Sequence, residues 1–241
     1  MSNGVYSALS GARARTQLLD MVGNNLANAN TTGYKKDRLA FEALIDGARQ
    51  RGAAKGVNFN RSAEGYTDLR QGTLETTGNP LHVALEGPGF FKIEGQGGTF
   101  YTRQGNFRLD AEGFLVSGAG HRVLGANGPL RLTVEDEVRI DENGRVWNGE
   151  AEAGRLEVVT VNDPRTLEKR ADGLFAPGAE TVEEPLERPT LVQGQVEASN
   201  VNPLEEMTLL IEAHRSFESF TKVFKIYSNV NSKADELGSL G

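Results

Sequence analysis

The most regular hydrophobic pattern of the chain lies near its C-terminus, between Asn202 and Leu237. Apolar residues recur there at intervals of three, four and seven, as on one side of an α-helix. These residues are Leu209, Leu210, Ala213, Phe217, Phe220, Val223, Phe224, Tyr227, Val230, Ala234 and Leu237. Asn202 is a favourable N-cap, and Pro203 suits the first helical position. The pattern predicts one long amphipathic helix with more than one partner helix, or alternatively an ordinary core helix of a globular domain.

A second amphipathic pattern covers residues 3–29, with smaller apolar side chains. They are Val5, Ala8, Leu9, Ala12, Leu19, Val22 and Leu26. Small side chains allow close packing, so we predict that this helix pairs with the C-terminal one in a coiled coil. Asparagines cluster where it ends, among them Asn25 and Asn28. Buried amides penalise wrong registers, so these two are predicted to fix the position of neighbouring chains; alternatively, they cap one helix within a chain.

The middle of the chain changes to the two-residue period that is typical of β-strands. Short alternating segments occur between residues 89 and 161, separated by turn residues. Asn143-Gly144 is a strong hairpin signal, and Asp110–Gly113 suits a short loop. Residues 41–64 are rich in Gly, Arg and Asn, and they are predicted to be a connector. The pattern therefore predicts a mainly antiparallel β middle.

Composition limits the chemistry that the chain can perform. The 241 residues include no cysteine, which excludes a thiol nucleophile, a thiolate metal site and a disulfide. The net charge is −7, yet residues 1–62 carry nine basic and four acidic residues. This asymmetry favours a basic arm that meets acidic neighbours over nucleic-acid binding. His82, His121 and His214 lack metal-ligand spacing, and no hydrolase motif occurs, so no enzyme activity, metal or cofactor is expected.

Three longer motifs are more specific than these patterns. Residues 24–36 read Asn-Asn-Leu-Ala-Asn-Ala-Asn-Thr-Thr-Gly-Tyr-Lys-Lys. Residues 71–91 contain G-x-L-x-x-T-G-N-P-L and a glycine-flanked Phe pair, with His82 where an acidic residue is usual. Residues 193–207 read Gln-Gly-Gln-Val-Glu-Ala-Ser-Asn-Val-Asn-Pro-Leu-Glu-Glu-Met, followed by the long helical pattern. In this order the motifs resemble those of the flagellar axial proteins, the rod and hook subunits of the bacterial flagellum.

The resemblance implies an α+β fold, in which long N- and C-terminal helices form a coiled coil, with a mainly antiparallel β middle domain. The expected domains are 1–40 together with 200–241, a connector at 41–64 and a β-rich domain at 65–199. The chain is then expected to be a structural subunit of the basal-body rod that polymerises through its terminal helices. The predicted assembly interface contains Val5, Leu9, Ala12, Leu19, Val22, Asn25, Leu26, Asn28, Leu210, Phe217, Phe220, Phe224 and Tyr227.

The resemblance also implies partners and a location. The expected partners are other rod subunits, further copies of the chain and the flagellar export apparatus, without nucleic acid or a small-molecule substrate. Family members reach the periplasm without a cleaved signal, and the N-terminus here lacks a basic segment followed by an apolar core. The stretch from residues 101–107 through 123–130, together with residues 162–169, resembles the proximal rod subunit. The alternative within the family is a distal rod or hook-type subunit. The alternative outside the family is a carbohydrate-binding β domain with a dimerising coiled coil, for which Trp147 and a few tyrosines are available.

Overall fold

The chain forms two compact units in the computed structural model. The structure describes residues 2–43, 61–95, 97–133 and 136–238, and within them the side chains of 11–40, 65–95, 97–133 and 136–230. The helical unit consists of Met1–Ala27, Asp37–Tyr66 and Asn202–Gly241. The β unit consists of Asn28–Lys36 and Thr67–Val201. Most of the predicted connector at 41–64 lies outside the described residues.

The helical unit contains two helices and a two-stranded sheet. Its elements are α1 (Ser2–Ala27), β1 (Asp37–Ala43), β2 (Arg61–Thr67) and α2 (Pro203–Gly238). Helix α2 begins as predicted, since Leu204 N donates to the Asn202 side-chain oxygen at 3.1 Å. Helix α1 approaches α2 closely at Gly11, where an added Cβ would lie 2.7 Å from Phe220 Cε1. Neither described helix is long and apolar enough to cross a membrane.

The predicted coiled coil of long N- and C-terminal helices is wrong. Within the described residues the structure has two helices, of 26 and 36 residues, and no long N-terminal coiled coil. A coiled coil buries its apolar rows in a continuous seam. On α2, however, Phe224 and Tyr227 remain 43 % and 40 % exposed. The apolar rows show that α2 needs to be covered, but they do not require that α1 of the same chain covers it.

The β unit is built from seventeen short strands in the described residues. They are β3 (Leu74–Thr76), β4 (Val83–Glu86), β5 (Phe90–Gly95), β6 (Gly98–Thr102), β7 (Arg108–Leu109), β8 (Leu115–Val116), β9 (Arg122–Gly125), β10 (Gly128–Pro129), β11 (Val138–Ile140), β12 (Arg145–Asn148), β13 (Ala151–Arg155), β14 (Val158–Val161), β15 (Leu167–Lys169), β16 (Leu174–Pro177), β17 (Glu183–Pro185), β18 (Thr190–Gln193) and β19 (Gln195–Glu197). Short 3-10 turns occupy Pro164–Thr166 and Ala171–Gly173.

These strands form four antiparallel sheets, which fits the predicted β middle. The largest has ten strands in the order β15-β16-β6-β5-β9-β8-β7, with β10 beside β9 and with β14 between β5 and β17. Strands β11, β12 and β13 form a second sheet. Strand β18 pairs with β4, and β19 pairs with β3. The segment just before α2 therefore returns to pair with the first strands of the β unit.

The β unit has its own hydrophobic core. The largest cluster includes Phe91, Ile93, Phe107, Leu115 and Leu191, all of which are almost completely buried. The Phe91 and Phe107 rings meet edge to face with their centroids 5.1 Å apart, a favourable arrangement for aromatic pairs. Leu191 belongs to β18, so the last strands also contribute to this core.

Candidate assembly interface

Exposed apolar side chains are concentrated in the helical unit. Among the described residues, the large apolar side chains that remain exposed are Tyr66, Val182, Leu204, Met207, Leu209, Ile211, Val223, Phe224, Ile226, Tyr227 and Val230. Val182 lies in the β unit and the other ten lie in the helical unit, nine of them on α2. Nine exposed large apolar side chains on one helix are a concentration that the rest of the described chain does not show, and exposed apolar surface of this kind marks contact sites. Helix α2 is therefore the candidate assembly interface.

The structure separates the predicted interface residues into groups. Val5 and Leu9 lie on α1, but their side chains are outside the described set. Val22 is fully buried, whereas Phe224 and Tyr227 are exposed. The half-buried positions are Ala12, Leu19, Leu26, Asn28, Leu210, Phe217 and Phe220. The prediction does not include four exposed residues of α2, namely Leu204, Met207, Ile211 and Ile226. Their helical spacing is nevertheless visible in the sequence. The first three follow one another at intervals of three and four, or seven in total, and Ile226 lies three residues after Val223 and four before Val230.

Asn25 is fully buried inside its own helical unit. Its amide nitrogen donates to the Asp37 backbone oxygen at 2.9 Å and to Glu206 Oε2 at 3.3 Å. Its amide oxygen accepts from Asp37 N at 2.9 Å. The side chain thus joins the end of α1 to the start of β1 and to the first turn of α2. A buried amide with these partners holds one arrangement of the three segments, because any other would leave polar groups unsatisfied.

Asn28 has a local role in the β unit. Thr31 Oγ1 donates to Asn28 Oδ1 at 3.2 Å, and Thr31 N donates to the Asn28 carbonyl at 3.1 Å. These bonds form a turn directly after α1. The turn leads to Gly33, whose positive φ of 67° and close approach to the Arg103 backbone leave no room for a side chain.

The N- and C-terminal motifs meet at a buried ionic cluster, which consists of Lys35, Arg103 and Glu197 in the β unit. Lys35 Nζ donates to Glu197 Oε1, and Arg103 Nη1 lies 3.7 Å from Glu197 Oε2. Gly72 N also donates to Glu197 Oε1, at 2.9 Å. Burial lowers the pKa of Lys35 below its ordinary value, and Glu197 opposes that shift. The sequence gives no periodic signal for this cluster.

Asn200 extends the same junction along the backbone. Its amide nitrogen donates to the carbonyls of Asp68 and Arg70, at 2.7 and 3.0 Å. Its amide oxygen accepts from Lys36 N at 2.8 Å. The side chain therefore binds the segment after residue 33 to the segment after residue 67. Motif residues from the first and last segments of the β unit therefore hold these segments together.

The described residues offer little chemistry beyond these contacts. They contain no group of three or more His, Cys, Asp or Glu side chains that could hold a metal ion. Trp147 is half-buried beneath the Arg139 guanidinium, 4.6 Å from its ring centroid, which leaves it poorly placed as a sugar-binding platform. Lys92 donates to Glu157 and Glu183, and Tyr101 donates to Glu183 at 2.7 Å. These groups pair with one another.

Three family models match separate parts of the chain. The model described as "Flagella basal body rod protein" matches residues 5–35. The model described as "Flagellar hook protein FlgE/F/G D1 domain" matches residues 84–148. The model described as "Flagellar basal body rod FlgEFG protein C-terminal" matches residues 192–237. The first and last matches cover most of α1 and α2, and the second lies within the β unit.

Relatives match the chain over nearly its whole length. It is 34 % identical to the flagellar basal-body rod protein FlgF of Caulobacter vibrioides, with 98 % of each chain covered. It is 33 % identical to the rod protein FlgG of Bacillus subtilis, with 92 % of this chain and 94 % of the relative covered. The rod protein FlgF of Salmonella typhimurium is 30 % identical over the full length of both chains. The chain belongs to the family of flagellar basal-body rod proteins.

Proposed function

We propose that this structural rod subunit polymerises through its helical unit, with α2 as the main contact surface. The observation that carries the proposal is the position of the exposed apolar side chains. Ten of the eleven large ones in the described residues belong to the helical unit, and Val182 alone belongs to the β unit. The β unit already buries its apolar residues in its own core. Contacts that remove apolar surface from water therefore fall on the helical unit.

Covering the exposed apolar residues of α2 contributes favourable free energy to assembly. Burying one large apolar side chain contributes about 1.5–3 kcal/mol, before the cost of ordering and of lost translational freedom. The nine exposed apolar residues of α2 have between 40 % and 74 % of their surface open to solvent, and a partner can bury only this part. About half of the full free energy of burial is therefore available at each residue. Repeated contacts between unlike surfaces of identical chains generate a ring when the rotation closes and an open helical assembly when it does not. Such an assembly suits a tubular drive shaft.

Partners and location follow from the family. We propose that the chain contacts other rod subunits as well as further copies of itself in the periplasmic rod, and that the flagellar export apparatus delivers it there. The resemblance of residues 101–107, 123–130 and 162–169 to the proximal rod subunit supports the proximal part of the rod. The relatives carry two different names at nearly equal identity, 34 % and 33 %, so they do not favour one branch of the family.

Fractionation of basal bodies tests this function. Basal bodies are purified in detergent, washed with high salt, and analysed by mass spectrometry for the untagged chain. We expect the chain to remain with the basal body, because apolar contacts are not weakened by salt. Basal bodies from a strain that lacks the chain serve as the control, and they should have an incomplete rod. Recovery of the chain in the wash, with an unchanged rod in the control strain, would refute the function.

A further inference from the structure

The segment between β3 and β4 forms a clasp around the corner that joins β18 to β19. The clasp consists of residues 77–82 and Gly194. The Gly194 carbonyl accepts from Thr77 N at 2.8 Å and from Gly78 N at 3.1 Å. Gly194 N donates in turn to the His82 carbonyl at 2.8 Å. The clasp therefore ties the first two strands of the β unit to its last two strands.

The His82 ring lies between two side chains of the clasp. Its Nδ1 is 2.9 Å from Thr77 Oγ1, and its Nε2 is 3.3 Å from the amide nitrogen of Asn79. The orientation of the Asn79 amide is fixed, because its oxygen accepts from Leu81 N at 3.0 Å. An amide nitrogen donates hydrogen bonds and does not accept them. The Nε2 atom of His82 is therefore the ring nitrogen without a proton.

The neutral ring that carries its proton on Nδ1 satisfies all of these groups. Its Nδ1–H group donates to Thr77 Oγ1, which then donates its own hydrogen to the Gly194 carbonyl at 3.2 Å. The remaining lone pair of the hydroxyl faces Asn79 N at 3.4 Å. With the proton on Nε2 instead, two N–H groups would point at each other. The hydrogen bonds of the clasp thus select one form of the ring.

We propose that His82 makes the clasp sensitive to pH, with the neutral ring closing it and the protonated ring weakening it. The added proton goes to Nε2, which then opposes the Asn79 N–H group instead of accepting from it. Rotating the Asn79 amide does not restore the contact, because its nitrogen would then face Leu81 N. The clasp loses one hydrogen bond in either case. Histidine ordinarily changes its charge between about pH 5 and 8, so the loss falls in this range.

Charged residues of the adjoining segments do not counteract this effect. The charged residues of β3, β4, β18, β19 and residues 103–108 are Glu75, Glu86, Arg103, Arg108 and Glu197. Glu197 and Arg103 belong to the ionic cluster with Lys35. In the part of the chain that the structure describes, the ring of His82 bonds only to Thr77 and Asn79. The protonated ring therefore has no carboxylate partner there that would stabilise its charge.

Nuclear magnetic resonance of the full chain, labelled with ¹⁵N-histidine, tests the form of the ring. Spectra that correlate the ring nitrogens with the ring carbon-bound hydrogens show which nitrogen carries the proton. At about pH 8 we expect His82 to carry its proton on Nδ1, although free histidine prefers Nε2. The His82 signals are assigned by their absence from the variant His82→Gln. A proton on Nε2 at this pH would overturn the proposal.

Hydrogen exchange tests the consequence, after correction for the intrinsic effect of pH on amide exchange. The protection of Thr77 N and Gly194 N should fall roughly two- to tenfold between about pH 8 and pH 5, because one net hydrogen bond is lost. His82→Gln keeps an oxygen that accepts from Asn79 and does not titrate, so its protection should not fall. Asn79→Ala removes the N–H group that opposes the protonated ring, so its protection should not fall either.

A second histidine provides the matched control. His121→Gln removes a titrating ring from another turn of the β unit, and it should show the same fall in protection as the unchanged chain. No fall in the unchanged chain would overturn the proposal. An equal fall in either His82→Gln or Asn79→Ala would overturn it as well, because the pH dependence would then arise from other groups. The clasp belongs to the β unit alone, so the outcome does not depend on how the chain polymerises.

Discussion

Replacing Glu197 with Gln should destabilise the β unit far more than the same change at an exposed glutamate. The Glu197 carboxylate is fully buried and pairs with Lys35 and Arg103, and it accepts a hydrogen bond from Gly72 N at 2.9 Å. The Gln amide keeps the size of the side chain and can still accept from Gly72. It no longer neutralises either cation, so Lys35 and Arg103 lose their closest opposing charge.

The expected cost follows from this geometry. Removing one partner of a buried ion pair costs about 3–5 kcal/mol. Arg103 also donates to the carbonyls of Leu85 and Gly87, which leaves its charge partly satisfied. We therefore expect the lower end of the range, about 3 kcal/mol. Lys35→Met in the Glu197→Gln background removes one of the two cations, so it should recover part of the loss and make the pair of changes clearly non-additive.

Urea denaturation of the full chain measures this cost. Trp147 is the single tryptophan of the chain and belongs to β12, so its fluorescence reports on the β unit. Glu184→Gln on the exposed strand β17 is the matched control, and it should change stability by no more than about 0.5 kcal/mol. A loss below about 1 kcal/mol for Glu197→Gln, or strict additivity with Lys35→Met, would show that the ionic cluster does not hold the β unit closed.

Three further substitutions test other contacts. Asn25→Leu should lower the stability of the helical unit by about 1–3 kcal/mol, measured by circular dichroism at 222 nm, because the half-buried backbone groups of Asp37 lose their hydrogen bonds. An unchanged transition would contradict this. Gly11→Leu should also lower the midpoint of the helical unfolding transition, because its Cβ would lie 2.7 Å from the Phe220 ring. An unchanged midpoint would show that the Phe220 ring can move aside. The hydrogen bond from Tyr101 lowers the pKa of Glu183. The bond therefore stabilises the folded chain at pH values above the ordinary carboxyl pKa. This stabilisation is lost as the pH falls through the lowered pKa of Glu183 in the folded chain. Tyr101→Phe should therefore weaken the chain at pH 7 by about 1 kcal/mol. It should also reduce the further loss of stability as the pH falls below the ordinary carboxyl pKa, as thermal unfolding at pH 7 and at successively lower pH would show.

Local patterns in the sequence predict much of the fold. The N-cap at Asn202 and the apolar rows that follow locate the start of α2, because both depend on neighbours within one or two turns. Alternation predicts strands near β5, β11 and β12 in the same way. The three motifs, in addition, indicate the family from the sequence alone. These signals are local, or they are shared with relatives.

Long-range pairings do not follow from those signals. Lys35 and Glu197 are 162 positions apart, and a buried ion pair leaves no periodic trace in the sequence. The coiled-coil prediction is wrong for a related reason. Apolar periodicity shows that one side of a helix needs to be covered, but not which molecule covers it, and Phe224 and Tyr227 remain exposed within the chain. The exposed residues Leu204 and Met207 are absent from the predicted interface because the predicted apolar rows begin only at Leu209 and Leu210.

The most direct measurement of the central claim compares one substitution on α2 with one on the β unit. Ile226 and Val182 are similarly exposed, at 62 % and 57 %, and each is changed to Asp. Both variants should fold, because an exposed site accepts a charge at little cost. The amount of chain in purified basal bodies is then determined by mass spectrometry. Assembly through α2 predicts that Ile226→Asp is lost from the rod and that Val182→Asp is retained at the wild-type level. Equal retention of both variants, or selective loss of Val182→Asp, would contradict it.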